Sequence, residues 1–177
     1  FIFDMVTARL KMETPSRERV GNVNIYRIGI GVPKIDKYWL ALFGHKFAQK
    51  LHRKNQYDAI WAIMASYGGL SALFFKKKNP EIPFLLTLQE GDDLKYIEKR
   101  MGILRHWFRQ IFQRANYVQC ISNFLAAWAK KMGAKCPVEV VGNGAGFKNL
   151  RNIQEKIDTD KKNPKQILTV SRLVKKN

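Results

Sequence analysis

Ile167-Leu168-Thr169-Val170-Ser171-Arg172-Leu173-Val174-Lys175-Lys176-Asn177 decides the fold when read with the earlier stretch Val138-Glu139-Val140-Val141-Gly142-Asn143-Gly144. Each is a short β-branched run that gives way to small or polar residues, the way a buried parallel strand delivers a loop to the carboxyl edge of its sheet. Open α/β sheets bind their ligands at that edge. Arg172, just past a strand end, offers a planar fork of donors suited to a diphosphate; an ordinary solvated surface loop is the other reading of the same charges.

Working outward from these strands, the chain alternates strand and helix. Val23–Ile28 alternates with period two and reads as a strand that Gly29, Gly31 and Pro33 end. Thr7 to Asn22 reads as a long polar loop. From Asp36, expected as an N-cap, Trp39, Phe43, Phe47 and Leu51 recur every four residues and predict the inner face of a helix. Tyr57–Ile63 suits a central strand, Tyr67-Gly68-Gly69 after Ser66 either a glycine-rich helix start or a loop open to close ligand approach, and Lys76-Lys77-Lys78 the next helix's C-terminal end. Phe84–Leu88 is the next strand. One long helix is expected over 94–114, with Ile97, Met101, Leu104, Phe108 and Ile111 or Phe112 inward. Tyr117–Ile121 is a strand, Ser122 caps a following helix, and Gly133 stops it. About 30 residues per unit is the arithmetic of a parallel sheet wound with helices, so the fold class is α/β, Rossmann-like.

A formal charge of +18, from 32 Lys and Arg against 14 Asp and Glu, calls for anionic company: phosphate groups, nucleic acid or an acidic membrane. No apolar run approaches the roughly 20 residues of a spanning helix. Cys120 and Cys136 are expected to stay reduced, as in a cytoplasmic protein, and with His45, His52 and His106 they form no metal signature. There is no Gly-x-Gly-x-x-Gly, Walker loop or catalytic-triad spacing. Lys99, Arg100, Arg105, His106, Arg109 and Arg114 interleave with Tyr96, Trp107, Phe108 and Phe112. That mixture reads either as a surface for anionic lipid or nucleic acid, or as a core-facing aromatic stripe with a solvated basic back.

The strand ending in Asn143-Gly144, the polar linker after it, and Ile167–Lys176 together resemble the interdomain passage of family 4 retaining glycosyltransferases, enzymes of the GT-B fold. The resemblance implies a Rossmann-like acceptor-side domain over 1–147, a linker over 148–164, and over 165–177 the first strand of a nucleotide-sugar domain. A start at Phe1-Ile2-Phe3-Asp4, inside a strand, adds the expectation of a fragment, inactive by itself. In that family the Arg of the Ile167 loop and a nearby Lys hold the donor diphosphate; Arg172 matches the Arg, and Lys176, four residues on, is the closest candidate for the Lys. The family places its Lys five residues after the Arg, where this chain has Asn177.

Thr87-Leu88-Gln89-Glu90-Gly91-Asp92 is similar to the family's Thr-x-His-Gly-x-Asp segment facing the cleft. Gln89 stands at the His position and can position a hydroxyl but not shuttle a proton near neutral pH. Glu90 and Asp92 are candidates for acceptor hydroxyls, or for capping the next helix. Ser122 is a candidate hydroxyl or anion site, or an N-cap with no ligand. Asn143 and Gly144 turn the chain at the junction, followed by Ala145-Gly146 where the family has Val-Asp. The implied function is sugar transfer from a nucleotide-sugar donor to a hydroxyl of a glycan or lipid-linked acceptor, with retained configuration. It would use no metal and no cofactor, in cell-surface polysaccharide synthesis, in the cytoplasm or peripherally on the inner membrane face. Nucleic acid is not an expected partner. The alternatives are a non-catalytic basic α/β module that binds anionic membrane or nucleic acid, and another GT-B enzyme such as a sugar epimerase.

Overall fold

The computed structural model describes residues 3–91 and 94–144. The chain divides into two compact units, Phe1–Gly142 and Asn143–Asn177. Of the second, only Asn143 and Gly144 are described, so the expected linker and the Ile167 strand lie outside the described residues.

The first unit contains two sheets. In one, β1 (Phe3–Ala8) runs parallel to β3 (Val23–Ile28), with β2 (Arg17–Val20) antiparallel on the other side of β3. The loop expected over Thr7 to Asn22 therefore contains a strand. β2 is charged and fully exposed, so it has no apolar periodicity to announce it. It pairs Val20 with Val23 across Gly21, whose φ of 56° a glycine adopts without strain. Arg27 holds it further, donating to the Glu18 carboxylate and to the Pro15 carbonyl.

The second sheet is wholly parallel, in the order β4 (Ile60–Ile63), β5 (Phe84–Leu88), β6 (Tyr117–Cys120), β7 (Val138–Val140). β4, expected to be central, stands at the end of this sheet, and its outer-face residues Trp61 and Ile63 are about half exposed. The other face carries Ala62, Phe84, Leu86, Leu88, Val118 and Cys120, all buried. Against it pack Leu70 and Leu73 of α2 (Tyr67–Lys78), Phe108, Ile111 and Phe112 of α4 (Arg105–Arg114), and Leu125 and Trp128 of α5 (Asn123–Lys131). The rings of Phe108, Phe112 and Trp128 form one cluster, with centroids 5.0 to 6.1 Å apart. At α2's end Lys76 is buried, its ammonium donating to the carbonyls of Pro80 and Ile82 at 2.6 and 2.7 Å.

The helix α1 (Pro33–Asn55) differs from expectation in its cap and in its face. Val32 is the N-cap, and Asp36 is a buried clasp one turn in: its carboxylate accepts from the backbone N–H of Ile30, Gly31 and Val32. Gly29, at φ 117°, lies so close that a Cβ there would collide with the Asp36 carboxyl. The inner face is Asp36, Leu40, Ala41 and Gly44, with Gly44 against the Ser71 hydroxyl of α2, while Trp39 and Phe43 point outward. Small residues win the inner face because they let α1 approach α2 closely.

The long helix expected over 94–114 is broken into α3 (Leu94–Arg100), a single 3₁₀ turn at Gly102–Leu104, and α4. Gly102 sits at φ 43°, outside the helical region. Ile97, Met101, Phe108, Ile111 and Phe112 are inward as expected.

Candidate functional site

The loops after β4, β5 and β6 meet at the carboxyl edge of the parallel sheet. The ladder continues past the strand ends: Met64 N–H donates to the Thr87 carbonyl at 2.7 Å, Ile121 N–H to Leu88 at 3.3 Å, and Val141 N–H to Cys120 at 2.8 Å. Met64 takes a positive φ of 70°, a conformation that costs a side-chain-bearing residue energy and turns the chain sharply into Ala65.

Glu90 closes this edge. Its Oε1 accepts from the Ala65 N–H at 2.6 Å, tying the loop after β5 to the loop after β4. Its Oε2 is buried with no hydrogen-bond partner among the described residues. Burial raises the carboxyl's pKa above its ordinary value, a rise only partly offset by the backbone amides of Ala65, Glu90 and Gln89. Burial pushes the neighbouring Cys120 thiol up to about 11, with the Glu90 charge adding to the rise. Cys120 and Cys136 are free thiols.

Gln89 is exposed on the same loop. Ser122 caps α5, its hydroxyl oxygen accepting from the Leu125 N–H at 3.3 Å, which leaves the hydroxyl proton able to donate elsewhere. Tyr67, Gly68 and Gly69 form the first turn of α2. Asn143 and Gly144 are exposed at the end of the described residues. Asp92, Arg172 and Lys176 lie outside them. The structure thus brings Gln89, Glu90 and Ser122 to one sheet edge, with Glu90 turned inward rather than toward solvent.

One polar line went unread in the sequence. Trp61 Nε1 donates to Thr87 Oγ1 at 2.8 Å, and Thr87 Oγ1 donates to Gln119 Oε1 at 3.2 Å, across the outer face of β4, β5 and β6. The signal was a single polar residue in each of two apolar strands, which parallel register sets side by side as Thr87 and Gln119.

The basic stretch resolves toward the core. Phe108 and Phe112 are fully buried, and Trp107 packs edge-on against Phe74 with ring centroids 5.8 Å apart. Lys99, Arg105, His106, Arg109 and Arg114 stay exposed, so their charges do not stand beside open aromatic faces, Tyr96 excepted. Among the described residues no helix is long and apolar enough to cross a membrane, and no three His, Cys, Asp or Glu side chains converge as metal ligands would.

Residues 3–145 match the family described as Glycosyltransferase Family 4. Among solved structures, the sucrose-phosphate synthase of Thermosynechococcus elongatus is similar to this chain with a TM-score of 0.65 at 15% identity, over 88% of this chain and 42% of that one. The chain thus spans about two-fifths of that relative's length. A shorter structure of the same enzyme aligns with a TM-score of 0.59 at 15% identity, over 88% of this chain and 82% of that one. At such identity the likeness concerns the fold. No curated protein sequence matches.

Proposed function

The chain belongs to Glycosyltransferase Family 4, its parallel sheet flanked by helices is a Rossmann-like unit of the GT-B kind, and from that premise we propose that it forms the acceptor side of a retaining sugar transferase. The donor is a nucleotide-sugar and the acceptor a hydroxyl of a glycan or lipid-linked glycan at an anionic membrane surface, on the cytoplasmic side. Arg172 and Lys176 hold the donor diphosphate and neutralise its charge as it leaves, in place of a metal. Gln89 and the Ser122 hydroxyl orient the acceptor, and the family resemblance assigns Asp92, Asn143 and Gly144 as further acceptor contacts. Glu90 acts from behind: with one oxygen on Ala65 and the other buried, it sets the loop that carries Gln89 rather than touching the acceptor.

The observation that carries this reading is the convergence of Gln89 and the Ser122-capped start of α5 at the carboxyl edge of a parallel sheet, where ligands of such sheets bind. The test uses the protein as the cell makes it, supplied with a set of nucleotide-sugars and with lipid-linked and soluble glycan acceptors. Transfer should persist in EDTA, give a product of the donor's anomeric configuration by proton NMR, and fall about 10²- to 10³-fold in kcat in Arg172→Ala. An inverted product, or an Arg172→Ala enzyme of unchanged kcat and donor affinity, would sink the proposal.

A further inference from the structure

The outward line of α1 bears on how the protein meets its surroundings. Ile35, Tyr38, Trp39, Leu42 and Phe43 follow the spacing i, i+3, i+4, i+7, i+8, and all five are exposed, from 37% for Phe43 to 52% for Ile35. They lie opposite the buried face of Asp36, Leu40, Ala41 and Gly44, so the core does not account for their exposure, although Tyr38 also meets the Tyr67 ring of α2 edge-on at 5.3 Å. Trp39 and Phe43 stack at 4.8 Å between ring centroids, and the Lys46 ammonium sits 5.1 Å from the Phe43 centroid. Ile30 and Val32, just ahead of the helix, extend the apolar patch. Beyond Phe43 the same line becomes basic, with Lys46, Lys50 and Arg53 exposed in succession. The one acid on α1, Asp36, is buried and engaged.

We propose that this outward line of α1 is an interfacial membrane anchor, lying in the plane of an anionic bilayer with Ile35, Tyr38, Trp39, Leu42 and Phe43 among the acyl chains and Lys46, Lys50 and Arg53 on the headgroups. A contiguous apolar stripe of this kind on a soluble surface marks a contact site, and its continuation into basic residues selects the occupant. A second copy of the chain would bring another +18 of charge against these cations. Nucleic acid would satisfy the cations but gain nothing from covering Ile35 and Leu42, which cannot stack on bases. An anionic bilayer rewards both halves at once. The inference deepens the membrane part of the proposed function without depending on sugar transfer.

The test is flotation of the protein as the cell makes it with phosphatidylcholine vesicles, with and without phosphatidylglycerol. Binding should require phosphatidylglycerol and weaken with salt. Trp39→Ser combined with Phe43→Ser should weaken it at least about tenfold, as should Lys46→Glu combined with Lys50→Glu. Arg109→Gln, on the helix whose aromatics are buried, should stay within about twofold of the wild type. Each variant is checked for an unchanged thermal melt, since the substituted side chains lie on the surface. Vesicle binding is read without catalysis, so a protein that transfers sugar yet ignores vesicles overturns this inference and leaves the transferase reading standing. It is equally overturned if Arg109→Gln loses as much binding as the α1 variants. It also falls if Trp39→Ser with Phe43→Ser leaves vesicle binding intact and instead alters the sedimentation coefficient or abolishes binding to single-stranded RNA.

Discussion

Two helical stretches of this protein are written in nearly the same alphabet, and the fold uses them in opposite ways. α1 carries Tyr38, Trp39, Phe43 and Phe47 among six Lys and Arg residues; α4 carries Trp107, Phe108 and Phe112 among Arg105, Arg109 and Arg114. In α4 the aromatic rings are the core, with Phe108 and Phe112 fully buried against Trp128. In α1 the core face is Asp36, Leu40, Ala41 and Gly44; Tyr38, Trp39 and Phe43 look out, while Phe47 is half-buried against the Tyr26 ring of β3. Periodicity finds a stripe in both; it does not say which side of the helix the stripe faces. That is decided by the neighbour. α1 packs on α2 where Gly44 meets Ser71, a contact with no room for a large ring, whereas α4 sets Ile111 against Gly69 of α2 and turns Phe108 and Phe112 onto the Trp128 ring of α5.

The largest effect that could break this contrast lies in α4. Phe108→Ala or Phe112→Ala should each cost about 3–5 kcal/mol in urea denaturation, because each leaves a cavity in the ring cluster. A loss under about 1 kcal/mol would mean the aromatics of α4 are not core. Next comes Asp36→Ala, which removes the acceptor of three backbone amides and should cost about 1.5–3 kcal/mol by the same measurement. Asp36→Asn should recover part of it, through its one remaining carbonyl oxygen. Smaller still is Trp39→Ser, expected to change stability by no more than about 0.5 kcal/mol, the behaviour of a surface position. A cost like that of Phe108→Ala would show that the outward face of α1 is packed after all.

The parts of the fold legible in the sequence are those fixed by local chemistry. Phe84–Leu88 is apolar but for Thr87 and bounded by turn residues; Ser122 caps its helix, and Gly133, at φ 99°, ends it. The parts that were not legible depend on partners remote in the chain. β2 is Arg-Glu-Arg-Val, a strand only because β3 lies beside it, and Gly21-Asn22 between two short runs was the one local sign of that hairpin. The inner face of α1 depends on Ser71, and the break at Gly102 on a φ that no spacing rule reports. In the candidate site, Gln89 and Ser122 were readable as loop residues past apolar strands. The inward turn of Glu90 was not, because its partner Ala65 lies 25 residues back on another loop.

Glu90 also supplies the finest test of the contrast, because its loop leads from the sheet into α3 and so sets where the α3–α4 stretch begins. Burial raises its pKa above the ordinary value of 4.5, so between 4.5 and the raised value the folded chain binds more protons than the unfolded chain. The unfolding free energy contributed by this group therefore falls as pH rises through that window; it is fully present below 4.5 and lost above the folded pKa. Glu90→Gln keeps a carbonyl oxygen for the Ala65 amide and has no charge to desolvate. Subtracting its stability from that of the wild type at each pH, by urea denaturation, cancels the other titrating groups and should leave a difference that turns against the wild type as pH rises toward neutrality. A flat difference would place the Glu90 carboxylate in water, with the β5 loop released from Ala65 and free to present that carboxylate to an acceptor hydroxyl.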